Sequence, residues 1–319
     1  MTTTSPNPAR AGHPVGGFGS VTGTPGLPDG FADTFTSRLV DVDGVHLHIV
    51  VGGEGAPLLL LGGWPQFWYQ WRLVLPALAR NHTVIAVDPR GTGLSDKPRK
   101  GYDSATLARE THQLMRVLGY EQFAMVAHDV GGWTAFAMAV DDPGAITRLV
   151  LAEMIIPGIS TSPPLIGTRW WNDFEWHFPF NRAYDINEKL VEGREHLYFG
   201  HQFATKAATP TAIPAAAVDV YVQALRMPGA LHASFEFYRE IDQILEQSEQ
   251  RKKLPLDIPV LAISGTDAGL DVEAEMRPVI SEITGVVLRG GHYIAEENPE
   301  AFLDVVLPFL AADSGADHG

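Results

Sequence analysis

Apolar and polar positions follow two patterns along the chain, first alternation and then short continuous runs. From Ser37 to Ile49 apolar residues alternate with polar ones, as in half-buried antiparallel strands. Later apolar runs lack alternation, which suits strands buried on both faces of a parallel sheet. These runs cover residues 57–61, 83–88, 123–128, 149–153, 259–264 and 285–288.

Between the strands, apolar spacing becomes helical over residues 68–79, 104–118, 132–140 and 299–310. Alternating strands and helices predict an α/β fold with a mostly parallel central sheet flanked by helices. Helical and aromatic sequence interrupts this alternation, so we expect an inserted helical cap. The predicted domains are an α/β core at 37–154 and 251–312 and a cap at 155–250.

The two ends of the chain are expected to be unstructured. Residues 1–36 are rich in Pro, Gly, Ser and Thr and lack an apolar cluster, which predicts a disordered tail. Residues 313–319 are predicted to be a flexible C-terminus. The tail lacks the apolar region of a signal peptide, and no apolar run reaches the roughly 18 residues of a membrane span. A cytoplasmic location is therefore expected, with export left open.

Charge and composition narrow the chemistry. The formal net charge of −15 at pH 7 would repel nucleic acid, and no basic stripe offsets it. The absence of cysteine excludes thiolate metal sites and a cysteine nucleophile. His46 and His48 are interpreted as the solvated side of an edge strand rather than as metal ligands. No metal or other cofactor is expected.

Candidate chemistry begins where the run 123–128 ends, in the sequence VAHDVGGW. Asp129 stands between small residues at Ala127 and Gly131, the spacing of a strand-turn-helix nucleophile elbow. A carboxylate attacking an sp3 carbon leaves an ester that water can open, whereas serine would leave an ether. Asp129 therefore predicts an alkylating substrate, such as an epoxide or alkyl halide. The alternative is a simple helix cap, which would not need the small flanking residues.

Such a nucleophile needs a base and an orienting acid. His292 follows the last predicted strand, where α/β-hydrolases carry their histidine. Two acids are candidates, Glu153 and Asp267. Glu153 ends an apolar run, where an unpaired carboxylate would be costly, whereas Asp267 stands in an exposed Gly/Thr turn. Glu153 is favoured, and Asp267 stays open.

The oxyanion formed during ester hydrolysis needs two backbone donors. The amide of Val130, directly after the nucleophile, supplies one. The amide of Trp64 supplies the other if Pro65 keeps its loop turned inward. By itself the sequence GGWP is typical of an ordinary turn after a strand.

Together these motifs resemble α/β-hydrolase-fold epoxide hydrolases, most closely the Cif type, from about residue 37 to 310. The matching segments are GGWPQFWYQW, VDPRGTGLSDKP, VAHDVGGW, LAEMIIPG, WHFPF, ASFEFYRE and GGHYIAEENP. The resemblance implies Asp129 as nucleophile, Glu153 as acid and His292 as base. It also implies that His177 and Tyr238 of the cap donate hydrogen bonds to the epoxide oxygen.

Such a pair also makes chemical sense, because an epoxide opens only when its oxygen receives a proton or strong hydrogen bonds. Alternatively, both side chains could be packed cap residues. One position departs from the family: Gly62 stands where a histidine is usual, so side-chain bracing of that loop is expected to be lost.

The predicted reaction is hydrolysis of an apolar epoxide to a vicinal diol, without membrane or nucleic-acid partners. Aromatic residues predict an apolar substrate channel. The candidate lining residues are Phe67, Trp68, Trp176 and Phe178. Whether the chain forms a homodimer stays open.

Two other functions stay as alternatives. In a haloalkane dehalogenase a tryptophan commonly follows the nucleophile, where this chain has Val130. Haloacid enzymes use arginines near the nucleophile, and none lies between Arg116 and Arg148. The second alternative is a binding protein that has kept the fold without turnover.

Overall fold

One mixed sheet of nine strands runs through residues 11–162 and 166–312, the part of the chain that this computed structural model describes. The strands are β1 (His13–Pro14), β2 (Phe35–Val42), β3 (Val45–Gly52), β4 (Ala56–Leu61), β5 (His82–Asp88), β6 (Phe123–His128), β7 (Ile146–Ala152), β8 (Val260–Gly265) and β9 (Ile283–Leu288). Their order is β1-β2-β3-β5-β4-β6-β7-β8-β9. The pairs from β1 to β3, and β3 with β5, are antiparallel, and the others are parallel.

The mostly parallel sheet predicted from the apolar runs is confirmed. Every residue of β5 and of β8 is buried, as expected for strands covered on both faces. Parallel neighbours bring the carboxyl ends of β6, β7 and β8 to one edge of the sheet. Loops that follow these three strands therefore meet, which is where ligands bind in open α/β sheets.

Helices connect the strands. They are α1 (Phe31–Thr34), α2 (Leu75–Leu78), α3 (Ser104–Val117), α4 (Val130–Asp141), α5 (Arg169–Glu175), α6 (His177–Arg182), α7 (Ile186–Val191), α8 (Glu195–Lys206), α9 (Ala215–Leu225), α10 (Ala230–Arg239), α11 (Ile241–Arg251), α12 (Val272–Met276), α13 (Ile294–Glu297) and α14 (Pro299–Ala311). The helix predicted over 68–79 is instead a 3-10 helix, Trp68–Trp71, followed by α2. Pro76 explains the break, because it lacks the N–H that a continuous helix would use.

All helices from α5 to α11 lie between β7 and β8, and we call them the helical insert. Its helix α10 packs against α6. This agrees with the helical character expected for residues 155–250, while the domain bounds remain a prediction.

The N-terminal segment differs from the expected disorder over residues 11–36. Its β1 pairs with β2, and Val21 and Phe31 are buried. The Trp68 indole N–H donates to the Gly19 carbonyl at 2.7 Å. The segment needs no core of its own, because the α/β core covers its few apolar residues and supplies hydrogen-bond partners.

The remaining terminal predictions lie outside the described residues. They are the disorder of residues 1–10 and the flexibility of residues 313–319. Among residues 11–162 and 166–312, no helix combines the length and apolar character needed to cross a membrane.

The interpretation of the two strand histidines holds for His46 and is wrong for His48. His46 is partly exposed and pairs with Asp96, whereas His48 is fully buried. The His48 ring lies 2.8 Å from Asp88 Oδ2 and 2.9 Å from Ser37 Oγ. The reason is register: β5 pairs with β3 from His48 to Gly52, so His48 lies between two strands, whereas His46 lies beyond that pairing.

Candidate active site

Asp129 forms the turn between β6 and α4, with φ 50° and ψ −127°. This backbone conformation is uncommon outside glycine and projects the side chain at the sheet edge. Close packing accompanies it: a Cβ on Gly131 would lie 2.7 Å from the carbonyl oxygens of Gly62 and Leu61. The carboxylate makes no capping hydrogen bond to α4. The geometry is therefore that of an elbow rather than of a simple cap.

The structure brings Asp129, His292 and Glu153 together. His292 Nε2 lies 3.3 Å from Asp129 Oδ2, and His292 Nδ1 lies 3.4 Å from Glu153 Oε2. Glu153 is fully buried just beyond β7, and its Oε1 accepts a hydrogen bond from Gly265 N–H at 2.5 Å. The imidazole thus bridges two carboxylates, one at the elbow and one behind it.

Asp267, the competing acid, lies elsewhere. Its side chain is exposed and accepts a hydrogen bond from the Thr266 hydroxyl at 2.8 Å. Of the two acids, the structure therefore brings only Glu153 into contact with His292.

The charges of Asp129, Glu153 and His292 shift one another's pKa values. Burial opposes charge on His292, but hydrogen bonds to Asp129 and Glu153 outweigh it and raise the pKa of His292 to about 9. Burial likewise opposes charge on Asp129, yet His292 holds the pKa of that carboxyl well below its usual range. Burial and the nearby charge of His292 lower the pKa of His128 to about 3, so this neighbour stays neutral. These opposite shifts favour an ion pair of Asp129 and His292 in the resting site.

The loop after β4 supplies one of the two predicted oxyanion donors. Trp64 N–H donates to Asp129 Oδ1 at 2.8 Å, and the Trp64–Pro65 peptide bond is cis. The Trp64 indole donates to Ser234 Oγ at 2.7 Å, which ties the loop to α10. Val130 begins α4 and is buried directly after the elbow.

Gly62, the departure from the family pattern, is compensated by Gln70. Gln70 Oε1 accepts a hydrogen bond from Gly63 N–H at 3.0 Å. A Cβ on Gly62 would lie 3.1 Å from the same oxygen, so the glutamine amide occupies the adjacent space. The expected loss of side-chain bracing does not occur.

We expect Gln70→Leu to lower the free energy of unfolding by about 1–3 kcal/mol, because the buried Gly63 N–H would lose its acceptor. Urea unfolding checks this. Gln122→Leu is the control, because its exposed amide donates to the Gly144 carbonyl at 3.0 Å and its loss should cost about 0.5 kcal/mol or less. Equal losses in both variants would contradict a bracing role for Gln70.

His177 and Tyr238, the predicted oxygen donors, face the same loop from the helical insert. The His177 ring stacks on the Trp64 ring at 5.3 Å between centroids, and Tyr238 meets Trp64 edge-on at the same distance. Both side chains are buried. Burial, then the charge of Lys206, lowers the pKa of His177, and burial, then the charge of Asp129, raises that of Tyr238. Both are therefore neutral hydrogen-bonding groups near neutral pH.

Two cavities border the site. Trp176 and Phe178 line a cavity of about 290 Å³ beneath the helical insert. Phe67 lines a smaller cavity of about 30 Å³ beside the oxyanion loop. Neither wall includes Asp129, and Phe178 packs edge-on against Tyr238 at 5.1 Å. The carboxylate is thus nearly closed off, with 20% of its side chain exposed.

Trp68 is a correction to the predicted lining. It is fully buried, donates to the Gly19 carbonyl and packs near Phe31 at 5.9 Å between ring centroids. Its ring therefore holds the N-terminal segment rather than lining either cavity.

Sequence reasoning missed two charged residues at the site, Lys206 and Glu175. Lys206 is 4% exposed, with its Nζ 3.4 Å from His177 Nε2. Glu175 lines the larger cavity, and its Oε2 is buried without a hydrogen-bond partner in the described structure. A signal existed for Lys206, because it continues the buried helical stripe of Phe199 and Phe203.

The fold and the elbow define an α/β hydrolase. A family model for the alpha/beta hydrolase fold matches residues 56–299, and the chain belongs to this family. It is 32% identical to a soluble epoxide hydrolase of Corynebacterium sp. (strain C12) over 280 residues, 85% of this chain and 95% of that protein. It is 30% identical to a fluoroacetate dehalogenase of Burkholderia sp. over 292 residues, 87% of this chain and 94% of that one.

Solved structures agree with this family assignment. Wild-type Cfl2 from Burkholderia cenocepacia is similar with a TM-score of 0.83 and 35% identity, covering 86% of this chain and 96% of that one. The epoxide hydrolase CorEH has a TM-score of 0.81 and 31% identity, covering 87% and 99%. The resemblance to epoxide hydrolases that the motifs indicate is confirmed.

Proposed function

We propose that this protein hydrolyses an apolar epoxide to a vicinal diol through a covalent ester on Asp129. Asp129 Oδ2 attacks an epoxide carbon, the ring C–O bond breaks, and the oxygen is stabilised from the side of His177 and Tyr238. The observation that carries the proposal is the elbow carboxylate. One of its oxygens accepts a hydrogen bond from the Trp64 N–H. The other lies beside the His292 imidazole, whose second nitrogen faces Glu153.

Formation of the ester changes the protonation of His292 and so allows the ester to be hydrolysed. Once Asp129 is esterified its negative charge is gone, and with it part of what raises the pKa of His292. The pKa of His292 therefore falls and the imidazolium gives up its proton, which balances the proton taken up by the epoxide oxygen. The neutral imidazole then takes a proton from water, and the hydroxide adds to the ester carbonyl. Negative charge then forms on the oxygen that the Trp64 amide contacts, and the Val130 amide is the second proposed donor. Glu153 orients the imidazole and stabilises its cation.

Mass spectrometry of Glu153→Gln, incubated with matched epoxides and alkyl halides, tests this function. The variant should slow ester hydrolysis by about 10⁴-fold, by analogy with loss of the acid in other triads. The ester should therefore accumulate. We expect a peptide containing Asp129 to gain the full mass of the epoxide. The wild type, which turns the ester over, is the control.

Dehalogenation is the second candidate, favoured by the similarity to a fluoroacetate dehalogenase. His177 and Tyr238 could hold a departing halide as well as an epoxide oxygen. The same experiment separates the two reactions: adducts formed only from halides, with halide released, would overturn the epoxide proposal. No adduct from either class and no turnover by the wild type would indicate a binding protein.

A further inference from the structure

We propose that the Lys206 ammonium is the source of the proton that the epoxide oxygen takes up, with the His177 ring as its hydrogen-bond acceptor. This inference rests on the proposed function. It assigns a role to a buried lysine that the ester mechanism does not otherwise use.

Lys206 contacts both the loop that carries His292 and the helix that carries His177. It ends α8, and its backbone carbonyl accepts a hydrogen bond from His292 N–H at 2.9 Å. Its side chain reaches His177, with Nζ 3.4 Å from Nε2 and 4.4 Å from the centre of the Phe174 ring. The same residue thus contacts the loop of the base and the histidine of the helical insert.

The hydrogen-bonding capacity of an ammonium fixes which group is the donor between Lys206 and His177. An ammonium has three N–H donors and no acceptor, so His177 Nε2 must accept from Lys206. While Lys206 is charged, Nε2 has no proton to give to an epoxide. The neutral His177 ring carries its own proton on Nδ1, but a neutral imidazole N–H is a far weaker acid than an ammonium, so the more readily transferred proton is on Lys206.

Nearby carboxylates stabilise a positive charge on the buried Lys206 side chain. The titratable groups whose charges interact with the ammonium or that contact it are Glu175, Asp129, Glu153, His128, His177 and His292. Burial lowers the pKa of Lys206, and the charge of Glu175 is the largest influence opposing that fall. Lys206 therefore releases a proton more readily than an exposed lysine, which suits a general acid.

The proton balance closes over one cycle. As the Asp129–carbon bond forms and the ring C–O bond breaks, the oxygen takes a proton and Lys206 becomes a neutral amine. His292 gives up its proton once the charge on Asp129 is lost, and this restores the ammonium. Neutral His292 then takes a proton from water during ester hydrolysis. The cycle ends with both groups protonated and one water consumed.

The test measures alkylation of Asp129 in a His292→Gln background, which stops after the ester and removes the titration of His292. In this background we expect Lys206→Met to slow alkylation by about 10²-fold, the usual contribution of a general acid. The parent rate should fall at alkaline pH as Lys206 loses its proton. Lys206→Arg should lose this alkaline fall, because a guanidinium stays charged. A purely structural lysine would change the rate equally at all pH values.

The control is Lys97→Met, which removes a partly buried ammonium that donates to the Gly93 and Ser95 carbonyls away from the elbow. It should leave the alkylation rate and its pH profile unchanged. Absence of adduct in both the His292→Gln parent and Glu153→Gln would refute the proposed function itself. An adduct that forms equally fast with Lys206→Met, an alkaline fall that persists in Lys206→Arg, or an adduct on Lys206 instead of Asp129 would overturn only this inference.

Discussion

The Asp129→Ser variant is expected to have no epoxide hydrolysis above the background rate. Serine suits the elbow turn, as in other hydrolases of this fold, but its hydroxyl is a far weaker nucleophile than a carboxylate. Even if it reacted with an epoxide carbon, the product would be an ether with no carbonyl for water to attack. Diol formation followed by chromatography, together with intact-protein mass, measures both outcomes.

A matched control comes from Asp267→Asn. Asp267 is exposed and bonds to Thr266, so its neutralisation should change turnover less than about threefold, as for substitutions away from a reacting centre. Multiple turnovers by folded Asp129→Ser would show that the covalent ester on Asp129 is not an intermediate. A large loss in Asp267→Asn would return Asp267 to the role proposed for Glu153.

The second large effect is expected for His292→Gln, which should form the ester and then fail to open it. Turnover should fall by about 10⁶-fold, as when the histidine of a hydrolase triad is removed. Alkylation should persist at a reduced rate, because the Trp64 N–H still stabilises the Asp129 carboxylate while the imidazolium that lowers its pKa is gone. Rapid quenching and mass spectrometry should detect one substrate-sized adduct per chain, formed in a single burst.

His128→Gln serves as the neighbouring control for this experiment. His128 is neutral and buried, and its Nε2 lies 2.8 Å from the His292 carbonyl oxygen. A glutamine amide can donate to that carbonyl, so we expect this variant to keep turning over and to accumulate no ester. Loss of alkylation together with hydrolysis in His292→Gln would mean that His292 is needed before the ester forms, contrary to the proposed order.

Several features of the site were predictable because they are local in the chain. A run of apolar residues that ends in Asp129 and is followed by glycines identifies a strand, a tight turn and a helix from nearest neighbours alone. The position of His292 after the last strand is equally local. The chemical argument from carboxylate to ester needs only the residue type.

Other features depended on contacts between distant parts of the chain. Glu153 and Asp267 both follow strands, and only the fold places one of them beside His292. Gln70 could not be recognised as the brace of the Gly62 loop, since nothing in its sequence context marks the contact. Lys206 lies 29 residues from His177, and the close approach of their nitrogens follows from helix packing.

The sequence by itself determined the order and type of the central elements and the elbow chemistry, because hydrophobic periodicity and turn geometry act over a few residues. The tertiary structure alone decided which carboxylate accompanies the imidazole, how the N-terminal segment is ordered and which cation lies beside His177. Those outcomes depend on burial and charge, and both are properties of the assembled fold rather than of any short stretch of chain.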